Sequence, residues 1–186
     1  MVFSPAYASS NSKIYPFQIA AADFALRSLY QKGAILCDEA GLGKSYEAML
    51  VITQKWLEGR RRILLAIPNA DLLDQWTALM EEFYSVPYTV VSTRTQWDAL
   101  ATADEPNPFL QNAIVITTYD FATANEEMTK AVPWDLAVFE GANALSVVYQ
   151  EGNQQAKALK RIAGDAFKLL LTGTPIEKNI MDLYMG

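Results

Sequence analysis

One stretch constrains this chain more than any other: Asp38-Glu39-Ala40-Gly41-Leu42-Gly43-Lys44-Ser45. It follows the apolar run Ala34-Ile35-Leu36-Cys37 and precedes a long segment with helical periodicity. A strand, a tight glycine turn and a Lys-Ser pair opening a helix is the architecture of a phosphate-binding loop. Gly41 and Gly43 let the backbone turn its N–H groups toward phosphate oxygens, and the helix N-terminus adds its dipole. In such a loop Lys44 reaches the terminal phosphates and the Ser45 hydroxyl binds Mg²⁺. The general pattern G-x-x-x-x-G-K-[ST] asks for glycine where this chain has Asp38.

Around that loop the chain alternates strand and helix. Ile19 to Tyr30 reads as a helix with Ala22, Leu26, Leu29 and Tyr30 on one face, ended by Gly33. Tyr46 to Glu58 is a second helix, with Met49, Ile52 and Trp56 on its apolar face and Gly59 closing it. Arg60-Arg61-Arg62 is a solvated basic connector. Ile63 to Ile67 is a buried strand stopped by Pro68, and Asn69 caps a helix over Ala70 to Tyr84. That helix carries the stripe Leu72, Leu73, Trp76, Leu79 and Met80, on which Trp76 reads as core. Tyr88 to Val91 is a strand, Thr93 to Thr102 a short helix, and Ala103 to Pro108 an acidic loop. Ala113 to Thr117 is a strand followed by a helix through about Lys130. Leu136 to Phe139 is a buried strand, Gln154 to Ala163 a helix with Lys157, Lys160 and Arg161 exposed, and Phe167 to Leu171 a last strand. A final helical turn is expected near Ile180 to Tyr184.

Six apolar strands separated by helices predict an α/β domain, a mostly parallel sheet covered on both faces. In such a sheet ligands sit at the carboxyl ends of the strands. The polar motifs fall there: Asp38 to Ser45, Pro68-Asn69, Thr117-Thr118-Tyr119, Glu140 and Thr172-Gly173-Thr174.

Composition narrows the chemistry. Histidine is absent, which removes histidine metal sites and Ser-His or Cys-His catalysis. A net charge of −6 argues against a broad electrostatic grip on nucleic acid, so any such contact is local. The single Cys37, expected within a buried strand, excludes an internal disulfide and fits a reducing cytoplasm. No apolar run is long enough to span a membrane, and residues 1–12 read as a flexible polar segment without the features of a secretory signal. Residues 13–186 form one domain.

Taken in order, the loop Asp38 to Ser45, then Ile67-Pro68 with Leu72-Leu73 and Gln75-Trp76, then Thr117-Thr118-Tyr119, Trp134-Asp135-Leu136 and Leu169-Leu170-Leu171-Thr172-Gly173-Thr174-Pro175-Ile176 resemble a known pattern. The chain is similar to the first RecA-like lobe of a Swi/Snf-type superfamily 2 helicase, from about Tyr15 to the end. That family accepts Asp at the first position of the loop. The resemblance implies a three-layer RecA-like P-loop NTPase lobe that binds ATP and Mg²⁺ and works on DNA, its partners being double-stranded DNA and a second RecA-like lobe.

Carried over residue by residue, it implies that Gln18, with Tyr15 or Phe17 beside it, lies at the adenine. Gly41, Leu42, Gly43, Lys44 and Ser45 hold the phosphates, with Ser45 and Glu140 at Mg²⁺. Pro68, Gln75 and Trp76 match a motif near a nucleic-acid strand, as do Thr117, Thr118 and Tyr119. Thr172, Gly173 and Thr174 couple nucleotide state to lobe movement. Threonine hydroxyls and main-chain N–H groups bind phosphates without bulk positive charge, which suits an acidic domain.

The departure lies at the Asp-Glu-Ala-His motif. Gapless alignment from Trp134 to Leu145 puts Glu140 at the Mg²⁺-binding Asp, Gly141 at the water-activating Glu and Asn143 at the His. A one-residue shift makes Glu140 the catalytic Glu and puts Phe139 at the metal; either way one carboxylate is missing. General-base catalysis contributes roughly 10²–10⁴-fold, so nucleotide binding with weak or absent hydrolysis is expected. Lys44 and Glu140 are then the catalytic candidates. The expectation is a motor lobe of a longer protein; the alternative is an inactive scaffold that binds nucleotide or nucleic acid. A P-loop enzyme unrelated to nucleic acid fits Thr172 to Pro175 less well.

Overall fold

The computed structural model describes residues 14–27, 32–37, 43–83, 86–142 and 154–173. Helix α1 (Pro16–Arg27) leads to strand β1 (Gly33–Cys37), and α2 (Lys44–Leu57) leads to β2 (Ile63–Ile67). A 3₁₀ turn (Ala70–Leu72) runs into α3 (Leu73–Glu82), followed by β3 (Tyr88–Val90), α4 (Arg94–Leu100) and β4 (Ile114–Thr118). Helices α5 (Tyr119–Ala124) and α6 (Glu126–Lys130) precede β5 (Leu136–Glu140), and α7 (Gln154–Ala163) precedes β6 (Phe167–Thr172). The six strands form one parallel sheet in the order β1-β6-β5-β2-β4-β3.

The strands are mainly apolar because both faces of the sheet are covered. Side chains alternate between two cores with the two-residue period of a strand. Leu65, Ile67, Ile116, Val138 and Leu169 face one core with α1, α2 and α3. Leu64, Ala66, Val115, Phe139 and Leu170 face the other with residues of α5 and α7 such as Ala122, Leu159 and Ile162. The three-layer α/β architecture expected from the alternation is therefore present. Helix α2 packs against both α1 and α3, and its residues from Glu47 to Gln54 are all buried.

Several local expectations need correction. Gly33 does not end a helix; it is the first residue of β1, paired with Lys168 of β6. A Cβ at Gly33 would lie 2.3 Å from the Lys168 carbonyl oxygen, so glycine is required by the close approach of two strands. Cys37 is exposed, because it is the last residue of β1, where the strand leaves the sheet. The helix after β4 is broken at Asn125 (φ −118°, ψ 38°), whose side-chain amide donates to the Phe121 carbonyl oxygen at 2.8 Å. The helix expected from Ala70 begins as a 3₁₀ turn, with Asn69 accepting from the Asp71 N–H at 3.0 Å. Lys160 is half-buried, whereas Lys157 and Arg161 are exposed.

Lys168 sits in β6 with 3 % of its surface exposed. Its ammonium donates to the carbonyl oxygens of Gly164 (2.8 Å) and Ala166 (3.3 Å), tying the end of α7 to the strand. Burial, with the nearby Lys32 charge, pulls its pKa below the usual lysine range. Among the described residues no helix is long and apolar enough to cross a membrane. Residues 1–13, Leu29, Tyr30, Asp38 to Leu42, Asn143, Thr174, Pro175 and the turn expected near Ile180 lie outside the described residues.

Candidate functional site

Gly43 sits at the N-terminus of α2 with φ 82°, a backbone that side-chain-bearing residues rarely adopt. Lys44 and Ser45 form the first turn of that helix, so their side chains stand where the helix dipole is positive. Gln18 reaches the same place from α1. It is buried, its Oε1 accepts from the Tyr15 N–H at 2.9 Å, and its Nε2 lies 3.5 Å from the Gly43 carbonyl oxygen. A Cβ on Gly43 would fall 2.4 Å from that Nε2. Gln18 and the glycine turn, distant in sequence, thus meet in space. Tyr15 and Phe17 flank Gln18 as an exposed stacked pair, centroids 5.9 Å apart and planes 12° from parallel.

Lys44, Ser45 and Glu140 line one cleft of about 460 Å³ at the carboxyl ends of the strands. Its other wall is α3, through Gln75, Leu79 and Glu82, which recur at the spacing of one helical face. Gln75 therefore faces the glycine-turn cleft, in addition to following Pro68 at the end of β2. Tyr46 and Glu82 were not anticipated; the Tyr46 hydroxyl donates to Glu82 Oε2 at 3.1 Å and joins the two walls. The signal for Glu82 was its seven-residue spacing from Gln75, which the apolar stripe of the same helix masked.

Glu140 ends β5 and supplies one of the two carboxylates lining the cleft, the other being Glu82. Its Oε2 is buried and has no hydrogen-bond partner among the described residues. Burial raises its pKa above the ordinary carboxylate value, while the Lys44 charge and the Gly141 N–H act in the opposite sense. A buried carboxylate oxygen left without a donor, beside a serine at a helix N-terminus, is the donor set of a hard divalent cation such as Mg²⁺. The residues present fit that ion, and Lys44 with the main-chain N–H groups at the start of α2 fits phosphate. Gly141 carries no carboxylate and takes φ 65°.

Because its pKa is raised in the fold, Glu140 binds its proton more tightly folded than unfolded. Stability is then highest where Glu140 is protonated in both states, and it falls as pH rises from about 4.5 through the raised folded value. Glu140→Gln is expected to raise Tm at neutral pH by a few degrees, 1 kcal/mol being about 2–4 °C for a domain of this size. The gain should vanish below pH 4.5, the ordinary value of the group, and thermal melts at a series of pH values check it.

The other anticipated residues divide by burial. Thr117 lies inside β4, fully buried, with its hydroxyl unpartnered among the described residues. Tyr119 is buried, and its hydroxyl donates to the Glu140 carbonyl oxygen. Thr118 is half-buried and accepts from the Phe121 N–H at 3.2 Å, capping α5. Pro68 is half-buried at the end of β2, and Trp76 is wholly buried, as its place on the apolar stripe suggested. Thr172 is buried at the end of β6, and Gly173 is exposed beyond it.

Comparison with known proteins bears on this site. A family model described as the SNF2-related domain matches residues 17–185. The RNA polymerase-associated protein RapA of Sodalis glossinidius is 32 % identical over 147 residues, covering 76 % of this chain and 15 % of that protein. An uncharacterized ATP-dependent helicase, YqhH of Bacillus subtilis, is 26 % identical over 183 residues, 97 % of this chain and 30 % of its own length. Among solved structures, the Sulfolobus solfataricus SWI2/SNF2 ATPase core in complex with dsDNA superposes with a TM-score of 0.75 at 23 % identity, over 95 % of this chain and 35 % of that one. The chain spans about a third or less of the length of these relatives.

Proposed function

The chain belongs to the SNF2-related domain family, and from that premise we propose that it is the ATP-binding lobe of a Swi/Snf-type DNA translocase. One observation carries the reading: Gly43, Lys44 and Ser45 from one segment and Glu140 from another line one cleft at the strand ends, with Gln18 from a third packed against Gly43. Gln18 and the Tyr15–Phe17 pair suit the base, and Lys44 suits the terminal phosphates. Ser45 and Glu140 would hold Mg²⁺, which when bound neutralises charge developing on the transferred phosphoryl group.

Hydrolysis requires a water aimed at the terminal phosphorus and a group to take its proton. At the position that would carry that carboxylate, Gly141 offers none, so turnover by this chain alone is weak or absent. Duplex DNA would lie across the ends of β2 and β4, against Pro68 and Thr118. Thr172 and Gly173, beside the cleft at the end of β6, would pass nucleotide state to a second RecA-like lobe. That lobe would close over the nucleotide and supply the arginines that such chemistry uses.

Titration of a fluorescent ATP analogue with and without Mg²⁺ tests the binding claim, with Mg²⁺-dependent saturation expected. Failure to bind in both conditions removes the whole reading. ATPase assays with and without duplex DNA, in this chain and in the longest natural protein that carries it, separate the motor from the alternative. The missing carboxylate at Gly141 favours that alternative, a scaffold that binds nucleotide or nucleic acid without turnover. DNA-stimulated turnover by the longer protein excludes it.

A further inference from the structure

Tyr119 is one of the largest fully enclosed side chains, with 2 % of its surface exposed. It opens α5 directly after β4, yet its hydroxyl donates to the main-chain carbonyl oxygen of Glu140 at the end of β5. Strands β4 and β5 are not neighbours, since β2 runs between them. The phenol therefore crosses the carboxyl end of β2, and on the way its ring rests on Phe139, centroids 6.5 Å apart. A buried phenol needs an acceptor for its proton. The acceptor here is the backbone of the residue whose carboxylate lines the cleft.

The end of β5 is held from two sides. Ala142 donates to the Leu171 carbonyl oxygen of β6 at 2.9 Å, and the Tyr119 hydroxyl holds the carbonyl of Glu140. Between those anchors lies Gly141 at φ 65°, the residue with the freest backbone. A rotation of the Glu140–Gly141 peptide moves the carbonyl and re-aims the carboxylate together. Whatever displaces the β4–α5 junction at Thr118 pulls on that peptide through one hydroxyl.

We propose that Tyr119 is a positioning residue that links occupation of the β2 and β4 strand ends by DNA phosphate to the placement of Glu140 in the nucleotide cleft. The inference rests on the reading of the two sites given above. Coupling of this kind is reciprocal, and each ligand must change the other's affinity by the same factor, typically about 5–150-fold. Tyr119→Phe keeps the ring on Phe139 and removes only the hydroxyl. A purely structural role would lower Tm and weaken both ligands in parallel, leaving that factor unchanged.

The test measures affinity for a non-hydrolysable fluorescent ATP analogue with and without a short duplex DNA, and affinity for the DNA with and without the analogue. The wild type is expected to show the same factor from both directions, and Tyr119→Phe a factor within about twofold of unity with each single affinity retained. A wild-type factor of unity, or a Tyr119→Phe factor equal to wild type, overturns the proposal while leaving nucleotide binding intact. Should Tyr119→Phe not fold, amide exchange in the wild type decides. DNA added alone should slow exchange at Ala142, and unchanged exchange there overturns the link. Absence of any binding by either ligand is a failure of the functional reading itself, and the proposal falls with it.

Discussion

Lys44→Ala is expected to weaken nucleotide binding by about 100-fold, close to 2.8 kcal/mol, with little change in Tm. The side chain sits in the first turn of α2 and lines the cleft. Its charge also opposes the effect of burial on Glu140. The substitution removes the cation that meets phosphate and, in the same stroke, leaves the neighbouring carboxylate easier to protonate and poorer at holding a divalent ion. A lysine at a helix N-terminus opposes the dipole, which offsets the attraction to Glu140 that is lost with it, so the change in Tm is small. Binding of a fluorescent ATP analogue measured beside a thermal melt checks both halves. A loss below threefold would mean that the phosphates lie elsewhere.

Gly33→Ala acts at the other end of β1 and on the fold itself. The new methyl would stand 2.3 Å from a backbone carbonyl oxygen, that of Lys168. Neither atom belongs to a flexible side chain, so relief requires β1 to move away from β6 along a register that runs from Gly33–Lys168 to Cys37–Thr172. Destabilisation of about 3 kcal/mol is expected, at the upper end for overpacking, and a fall in Tm of about 6–12 °C. Gly59→Ala is the contrast. Nothing lies within 4 Å of its Cβ, and the cost is only that of holding an L-residue at φ 84°, about 1–2 kcal/mol. Equal melts for the two variants would refute the close-approach account of Gly33.

The legible part of this molecule was what repeats locally. Apolar runs such as Ile63 to Ile67 and Leu136 to Phe139 have no polar interruption, and each lies in a strand. Thr93 and Gln96 form a capping box that sets the start of α4, adjacent to where the residues pointed. What escaped was set by contacts between distant segments. Gly33 reads as a helix stop until Lys168 is placed against it. Lys168 reads as a surface lysine until the carbonyls of Gly164 and Ala166 surround its ammonium. Gln18 was marked as a site residue by resemblance, but its seat against Gly43 arises only when α1 packs beside α2. Thr117 and Tyr119 look like strand-end polar groups in sequence; the sheet order buries one in β4 and turns the other toward β5. Glu82 was hidden because its helix also carries the stripe that buries Trp76, and one helix serves both faces.

The strand order has a consequence for how the chain is made. Among the described residues β1 pairs with β6 alone, so the strand leading into the glycine turn takes its partner from the last of the six strands in sequence. During synthesis at roughly 5–20 residues per second, Ala34 to Cys37 waits on the order of ten seconds for Leu169 to Thr172 to be made. The nascent chain can pair β2 with β4 and then β5 well before that. The cleft of Lys44 and Glu140 thus waits on β6, and a nascent chain halted before β6 carries an apolar edge that invites pairing with other chains. On the proposed function, a nucleotide would stabilise this fold only after translation has passed Thr172.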